Sequence, residues 1–344
     1  MRGIFTSDFH MFSQRSRINE LMAELDDATE RAELIVLGGD IIDFKWSQLS
    51  DQQTTEAAAL QWLGDFTDCH EGKQIIYITG NHDCASTYVD DLRALAKVNR
   101  NFQVYEYWYQ HGDALFLHGD VAHIKPTQAA LEKRRSRWSR HKKRGILKNS
   151  LYNLVFLMRL PLLANILFNR PQRICSQLTR YLSNVGLHPE AGVQRVFFGH
   201  THGVIKDFEF DGLLFYNSGA PLKTLACEIL RFETSGDETD GRLFQVDSRL
   251  LLQRRTRRNG PVSRIACSLA EAAIATADTH QAHGKPRDPV LTAHRPGILQ
   301  RLVALAEVGI TMLTDPCPTG RTRRPSSSAP RQSLGQGFVY RFNG

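Results

Sequence analysis

The stretch Leu34-Ile35-Val36-Leu37-Gly38-Gly39-Asp40 joins a short apolar run to two glycines and an acidic residue. A run of four apolar residues that ends in glycines is typical of a buried β-strand followed by a tight turn. Asp40 therefore follows directly after the carboxyl end of a predicted strand. In layered α/β folds, ligand sites form beyond this end of the strands, where loops from several strands meet. The stretch predicts an α/β domain and makes Asp40 a candidate ligand residue.

Four more blocks repeat this arrangement of an apolar run followed by polar residues. They are Asp8-Phe9-His10, Gly80-Asn81-His82-Asp83, His118-Gly119-Asp120 and Gly199-His200-Thr201-His202. In the first of them, Asp8 and His10 are at positions i and i+2, so both side chains emerge on one face of an extended segment. Two divalent metals that share a carboxylate need Asp, His and Asn ligands from distant parts of a chain. Together and in this order, the blocks predict a two-metal hydrolase.

Between these blocks, strand and helix patterns alternate up to about residue 120. Strands are predicted at 4–7, 34–37, 74–79, 114–117, 193–198, 204–210 and 213–216, and helices at 17–32, 54–66 and 88–96. The first helix follows from apolar residues at helical spacing. Asp211-Gly212 predicts a hairpin turn between the last two strands. Every candidate ligand then lies at the carboxyl end of a strand.

The net charge of +7 is concentrated near the carboxyl terminus. Residues 250–344 carry a balance of +9, whereas residues 1–249 carry −2. The six cysteines show no CxxC pair or disulfide-like spacing, which favours reduced thiols in a cytoplasmic protein. Because a strand pattern begins near residue 4, we expect no signal peptide and a cytoplasmic location.

The five blocks resemble those of the calcineurin-like metallophosphoesterase superfamily, and the resemblance covers roughly residues 1–235. It implies a sandwich of two mixed β-sheets flanked by helices, with a dinuclear metal centre between the sheets. One metal would be held by Asp8, His10, Asp40 and His202, and the other by Asp40, Asn81, His118 and His200, with Asp40 bridging the two. By the same resemblance, His82 is not a ligand but faces the scissile phosphate, oriented by Asp83.

The residue types indicate the chemistry. Two metals about 3.5–4 Å apart can clamp phosphate oxygens and lower the pKa of a shared water, and the resulting hydroxide would attack phosphorus in line. His82 would stabilise the developing charge or protonate the leaving oxygen. Carboxylate, amide and imidazole ligands suit Mn, Fe or Zn. We expect two divalent ions, with Mn favoured and Fe or Zn as alternatives.

Several other polar residues are interpreted with less weight. Asp120 is a candidate support for His118, and Asn217-Ser218-Gly219 resembles the Asn-x-Gly turn that follows the last His block in the superfamily. His123 and Lys125 either touch a phosphate or lie in a surface loop. The remaining histidines are expected at the surface or in the tail: His70, His111, His141, His188, His280, His283 and His294.

An insert at about 125–190 separates the fourth and fifth blocks. Residues 133–148 contain nine Lys or Arg residues, and residues 151–168 are rich in Leu, Phe and Ile. Asn153, Arg159, Pro161 and Asn165 interrupt the apolar run, which argues against a transmembrane helix. One interpretation is a helical cap that touches an anionic membrane surface, on the inner membrane face, or a lipid-like substrate. The other is an insert whose apolar face packs on the core and whose charges are solvated.

The insert position and the His-Gly-Asp block resemble one branch of the superfamily, the UDP-2,3-diacylglucosamine pyrophosphatases, in which a helical cap holds acyl chains. The chain departs from that branch in two places. The branch typically has Arg where His82 stands, and its acidic stretch after His-Gly-Asp is replaced here by residues 121–125. These differences leave the substrate open and the expected phosphohydrolase activity intact.

The tail, residues 236–344, is rich in Arg and contains no motif. It is either a basic arm for nucleic acid or anionic lipid or poorly ordered sequence, and we expect the latter.

Three functional classes follow from the whole chain. The leading one is a phosphoesterase for a phosphodiester or pyrophosphate substrate that is lipid- or nucleotide-linked. A metal-dependent nuclease and a noncatalytic scaffold are the alternatives; the aliphatic run argues against the nuclease, and intact Asp40, Asn81 and His82 argue against the scaffold.

Overall fold

A computed structural model describes residues 1–140, 143–158, 160–162, 169–234 and 247–248. The strands are β1 Arg2–Thr6, β2 Leu34–Leu37, β3 Gln74–Ile78, β4 Phe102–Tyr105, β5 Trp108–His111, β6 Ala114–Leu117, β7 Arg195–Phe198, β8 Val204–Phe210, β9 Leu213–Ser218, β10 Leu230–Glu233 and β11 Asp247–Ser248. The helices are α1 Ile18–Arg31, α2 Gln52–Cys69, α3 Ser86–Val98, α4 Gln128–Trp138, α5 Ile146–Leu157 and α6 Pro171–Asn184. The predicted tail lies outside the described residues except for β11.

The strands form two mixed sheets. The first has the order β11-β10-β1-β2-β3-β4, and the second has the order β5-β6-β7-β9-β8. In the first sheet β1 to β4 are parallel, while β10 runs antiparallel to β1. In the second sheet β6, β7 and β9 are parallel, and the edge strands β5 and β8 are antiparallel. The predicted α/β sandwich of two mixed sheets is confirmed.

An aromatic and aliphatic core joins the two sheets face to face. Phe5 of the first sheet lies 6.0 Å from the ring of Phe116 and 5.9 Å from that of Phe197, both in the second sheet. Phe5 is paired in register with Val36, and Phe116 with Phe197. The carboxyl ends of both sets of parallel strands come to the same region, where His118 after β6 lies 3.1 Å from the carbonyl oxygen of Gly38 after β2. This alignment positions the five polar blocks.

Helices cover the outer faces of the sheets. On the first sheet, α1, α2 and α3 bury a cluster that includes Leu25, Trp62 and Leu92. Asp51 caps the amino end of α2. Its carboxylate accepts a hydrogen bond from Thr54 N at 2.7 Å, the usual way to satisfy an amide in the first helical turn. The helical prediction for 54–66 was therefore short by the capped first turn and by the last turn.

The last helix of the predicted insert, α6, packs on the sandwich. Helix α6 buries Ile174, Leu178 and Leu182 in the core on the outer face of the second sheet. Apolar residues at this spacing form the stripe by which a surface helix packs on a core. This part of the insert matches the interpretation in which an apolar face packs inward.

Helix α5 has two different apolar environments. Phe156 is buried against Ala220 and Leu222, with Tyr152 packed alongside. Other apolar residues of the same segment face solvent: Leu151, Leu154, Leu157, Met158 and Leu160. Among the described residues, no helix combines the length and apolar content that crossing a bilayer requires.

The basic cluster of the insert contains one buried ion pair. Arg135 is 6% exposed and binds both carboxylate oxygens of Asp120, at 3.0 and 3.1 Å. It also donates to Thr79 Oγ1 at 3.1 Å, next to the end of β3. These contacts hold α4 against the sandwich. The charges of the basic cluster at 133–148 are therefore not all solvated.

Replacing Arg135 with Met should lower the free energy of unfolding by about 3–5 kcal/mol, because Asp120 would be left as a buried carboxylate without its partner. Urea unfolding followed by circular dichroism measures the change. Arg137→Met, two residues further along the exposed side of α4, should change stability by no more than about 0.5 kcal/mol. Equal effects of the two substitutions would show that the ion pair does not hold α4.

Candidate metal centre

The five polar blocks meet where the parallel strands of both sheets end. Three groups of side chains are close enough to share an ion, with their ligand atoms within 4.8 Å of one another. The groups are Asp8 with His10 and His202, His10 with Asp40 and His82, and Asp40 with His118 and His200. Asp40 and His10 each belong to two of the groups. The groups are therefore adjacent, and the Asp40 carboxylate is shared by the group of His118 and the group of His10.

The individual distances show how tightly the donor atoms converge. His118 Nε2 lies 3.3 Å from Asp40 Oδ2, and His202 Nε2 lies 3.3 Å from Asp8 Oδ1. His10 Nε2 is 3.9 Å from carboxylate oxygens of both Asp8 and Asp40. Nitrogen and oxygen donors that converge at these distances from separate loops could together hold a metal ion.

One buried donor atom at this place, Asn81 Oδ1, lacks a hydrogen bond within the described part of the chain, and His118 Nε2 has only its ion-pair contact with Asp40. Leaving a polar atom buried without a partner costs free energy, so such atoms are rare unless a ligand satisfies them. His118 donates through its other nitrogen, Nδ1, to Gly38 O at 3.1 Å, which directs Nε2 towards Asp40. These residues fit a divalent metal.

The backbone at the site is held in an unusual conformation. Five of the candidate ligands have a left-handed backbone: Asp8 (φ 56°), His10 (φ 46°), Asp40 (φ 51°), His200 (φ 65°) and His202 (φ 57°). Non-glycine residues adopt this conformation at a cost, and they concentrate at functional sites. Nearby glycines make room for the two carboxylates, because a Cβ at Gly80 would overlap Asp40 Oδ1, and a Cβ at Gly199 would overlap Asp8 Oδ2.

Hydrogen bonds from the backbone hold the two carboxylates. His82 N donates to Asp40 Oδ1 at 2.7 Å, and His200 N donates to Asp8 Oδ2 at 2.9 Å. The Asn217-Ser218-Gly219 turn holds the block Gly199-His200-Thr201-His202 through the side-chain amide of Asn217. Its Asn217 Nδ2 donates to Gly199 O at 2.9 Å, and Asn217 Oδ1 accepts from Gly219 N at 2.8 Å. These contacts hold the loops that carry the candidate ligands, as partners of ligand residues do in metal sites.

The electrostatics of the site favour a cation. Burial opposes the charge of Asp8 and Asp40, but His202 and His118, respectively, outweigh it and lower the pKa of both carboxyls. Burial also opposes the charge of His118, yet Asp40 raises the pKa of His118 to about 10. Burial and the neighbouring His118 hold the pKa of His200 well below its ordinary value. The site thus keeps two ionised carboxylates in a buried place, where a bound cation would complement them.

The residue that orients His82 is Asp43, not Asp83. His82 Nδ1 lies 2.9 Å from Asp43 Oδ1, and His10 Nδ1 lies 3.3 Å from the second oxygen of the same carboxylate. Burial would raise the pKa of Asp43, but the charges and hydrogen bonds of both histidines hold it well below the ordinary range. Nothing in the local sequence pattern pairs Asp43 with His82, which lies 39 positions further along the chain.

Asp83 instead braces the loops beneath the site. Its carboxylate accepts hydrogen bonds from Tyr77 Oη at 2.7 Å, Ile41 N at 2.9 Å and Gly80 N at 2.5 Å. The expectation that Asp83 orients His82 is therefore wrong. Sequence adjacency pointed to it, but His82 and Asp83 lie in a bend after β3, and their side chains contact different groups.

Three other expectations about single residues need correction or completion. Asp120 binds Arg135 rather than His118. His70 is not a surface residue, since it is 4% exposed and its Nδ1 lies 2.7 Å from Phe66 O. His123 is half-buried, with its ring 5.3 Å from that of His200. Burial lowers the pKa of His123 to about 4, aided by nearby arginines. His141, His280, His283 and His294 lie outside the described residues.

Comparisons with solved structures give remote similarities. The calcineurin-like phosphoesterase YfkN from Bacillus subtilis is 10% identical, with a TM-score of 0.45, over 81% of this chain and 98% of that one. A dimetal phosphatase from Danio rerio is 14% identical, with a TM-score of 0.40, over 74% of this chain and 97% of that one. A Staphylococcus aureus protein, solved in complex with alpha-ketoglutarate, is 12% identical, with a TM-score of 0.38, over 78% of this chain and 58% of that one. The present chain thus spans little more than half the length of that protein.

No curated protein matches the sequence. The sequence profile of the calcineurin-like phosphoesterase family matches residues 1–204. All five polar blocks lie within the matched residues. The chain therefore belongs to the calcineurin-like phosphoesterase family and is a metal-dependent phosphoester hydrolase.

Proposed function

We propose that this protein hydrolyses a phosphodiester or pyrophosphate bond at a dinuclear metal centre. The observation that carries the proposal is the convergence of donor atoms on both sides of Asp40, whose carboxylate lies in two of the three ligand groups. One metal would be held by Asp8, His10, Asp40 and His202, and the other by Asp40, Asn81, His118 and His200. When bound, two such ions neutralise phosphate oxygens and make water nucleophilic near neutral pH.

His82 is proposed to act on the substrate rather than on the metals. Asp43 occupies its Nδ1, which leaves Nε2 as the nitrogen that can face a phosphate ester. Nε2 would then donate a proton to the oxygen of the departing group as the phosphorus–oxygen bond breaks. His82 would thus be the catalytic residue, with Asp43 positioning it and Asp83 bracing the loop.

The finer properties of the enzyme are proposed from the insert and the ligand types. Manganese is the favoured metal, since a mixed carboxylate, amide and imidazole set suits it. A lipid- or nucleotide-linked substrate, such as one like UDP-2,3-diacylglucosamine, is supported by the exposed apolar residues of α5, of which Leu157 is 77% exposed. The same residues, beside exposed Lys148, support peripheral attachment to the inner membrane face.

A substrate panel tests the reaction class. Protein stripped with a chelator should be inactive, and manganese should restore hydrolysis of bis-p-nitrophenyl phosphate and of UDP-2,3-diacylglucosamine more fully than zinc does. Single-stranded DNA in the same panel tests the nuclease alternative. Turnover that survives complete removal of metal, verified by elemental analysis, would contradict the proposal. Hydrolysis of DNA alone would replace the proposed substrate class with nucleic acid.

A further inference from the structure

The candidate metal centre reaches solvent at three histidines. His82, His200 and His202 are half-buried, whereas the remaining candidate ligands are buried. Helix α4 borders this opening, because the ring of Trp138, its last residue, lies 4.6 Å from that of His82. A substrate phosphate that reaches the centre therefore enters beside these histidines and close to α4.

Arg134 lies on the side of α4 that borders the opening. It precedes Trp138 by four residues, and residues at this spacing are neighbours on a helix surface. Burial and His118 lower the pKa of His200, and the charge of Arg134 lowers it further. The ring of His123 lies 5.3 Å from that of His200, and burial and then Arg134 lower its pKa in the same way. Arg134 therefore lies near both histidines.

The guanidinium group of Arg134 is not fully satisfied by the protein. Its Nε is buried and has no hydrogen-bond partner among the residues that the structure describes. The carboxylate of Asp120 is nearby, but Arg135 binds both of its oxygens. A buried donor without a partner costs free energy unless a ligand or water satisfies it. A guanidinium group fits the oxygens of a phosphate especially well, so Arg134 offers a donor to an anion at the opening.

A second arginine adds positive charge on the same side of the centre. Arg173, in the first turn of α6, is exposed, and its charge also contributes to lowering the pKa of His123, after burial and Arg134. The loop after β6, α4 and α6 thus bring an imidazole and two guanidinium groups together. A phosphodiester carries one negative charge, which the metal ions would already face. The additional positive charge is better matched by a substrate with a second anionic group.

We propose that Arg134, together with Arg173 and His123, binds a second phosphoryl group of the substrate, adjacent to the one that is hydrolysed. The inference rests on the proposed function and narrows its substrate class to diphosphate-linked compounds. Arg134 keeps its proton and forms no covalent bond, and it acts through charge-assisted hydrogen bonds to phosphate oxygens. The neighbouring Arg135, which the buried Asp120 fixes to the sandwich, holds this part of α4 in place.

Two probes that cannot be hydrolysed test the subsite by binding alone. Methylphosphonate carries one phosphonyl group and methylenediphosphonate carries two. Calorimetric titrations of manganese-loaded protein, at a fixed concentration of free manganese, measure the Kd of each probe. Wild-type protein should bind methylenediphosphonate at least about tenfold more tightly than methylphosphonate. Arg134→Gln should weaken binding of methylenediphosphonate by about tenfold or more, but binding of methylphosphonate by no more than about threefold.

Further variants separate the charge from the shape of the side chain. Arg134→Lys should lose less affinity than Arg134→Gln, because it keeps the charge and gives up only the planar fork. Arg173→Gln should act in the same direction by a smaller factor, because this arginine is exposed. If Arg134→Gln does not fold, Arg134→Met provides the uncharged variant. Arg137→Gln removes an equal charge at an exposed position of the same helix and should change neither Kd.

Metal content and hydrolysis of bis-p-nitrophenyl phosphate show whether the metal centre stays intact. This diester carries a single negative charge, so Arg134→Gln should lower its kcat/KM by no more than about threefold. An equal loss of affinity for the two probes, or a loss of bound metal, would mean that Arg134 serves the fold and would overturn the inference. Wild-type protein that binds both probes equally well would overturn it too. If the wild-type protein hydrolyses nothing in the substrate panel, the proposed function itself fails, whatever the two probes show.

Discussion

Replacing Asp40 with Asn should lower kcat/KM at least about a thousandfold and reduce the bound metal below two ions per chain. The carboxylate of Asp40 lies in two of the three ligand groups, 3.3 Å from His118 Nε2. Asparagine has nearly the same shape, but it carries no charge and offers only one oxygen. Both proposed metal positions would therefore lose an anionic ligand at once. Steady-state kinetics with metal in excess and elemental analysis of the purified variant measure the two effects.

Asp113→Asn is a suitable control, because this carboxylate binds Arg195 at 2.6 and 2.7 Å at the amino ends of β6 and β7. This end of the sheet is opposite the metal centre. The control should change stability and leave metal content and turnover near the wild-type values. An Asp40→Asn protein with two ions and ordinary turnover would rule out the bridging role.

His82→Ala should lower kcat about a hundredfold to ten-thousandfold while leaving metal content unchanged. The reason is that the proposed acid is lost and the proposed ligands remain. The comparison is informative because His82 also lies within ligand distance of His10 and Asp40. Loss of metal together with activity would show that His82 is a ligand and not the acid. His188→Ala, which removes a surface contact with Glu190, should alter neither quantity.

The two aspartates near His82 should behave differently when each is changed to asparagine. Asp43→Asn removes the charge behind both His82 and His10, so we expect a loss of about 10- to 100-fold in activity or metal affinity. Asp83→Asn disturbs the hydrogen bonds to Tyr77 and to two backbone amides. We therefore expect it to lower the free energy of unfolding and to leave the pH profile of the activity largely unchanged. If Asp83→Asn changes the pH profile and Asp43→Asn changes only stability, Asp83 is the residue that orients His82.

Much of the fold could be predicted because its central strands carry a simple signal. Strands β2 and β6 were predicted with the observed bounds, since each is a four-residue apolar run that is buried on both faces. Strands β4, β5, β10 and β11 were missed. Strands β4 and β5 lie at sheet edges, and their half-exposed residues Tyr105 and Gln110 give no continuous apolar pattern. Arg231 and Glu233 likewise interrupt the apolar pattern of β10. The first two and the last two residues of α3 were also missed, as helix ends carry weaker signals than helix centres.

The candidate ligands could be found from the sequence because each is tied to a strand end by local chemistry. Glycines that allow close approach, and Asp, His and Asn placed just after apolar runs, can be seen without knowing where the strands lie in space. The partners of these residues could not be found in this way. Asp43 binds His82 across 39 positions of sequence, and Arg135 binds Asp120 across 15.

The sequence by itself determined the class of fold, the family and the residues that could hold two metals, because these depend on local patterns of apolar, glycine and polar residues. The tertiary structure alone decided which carboxylate orients His82, which insert helix joins the core, and that Lys45 of the loop after β2 packs on Trp138 at the end of α4. The physical reason is that such contacts depend on sheet register and helix packing. Both are set by the whole buried core around Phe5, Phe116 and Phe197, and no single stretch of sequence encodes them.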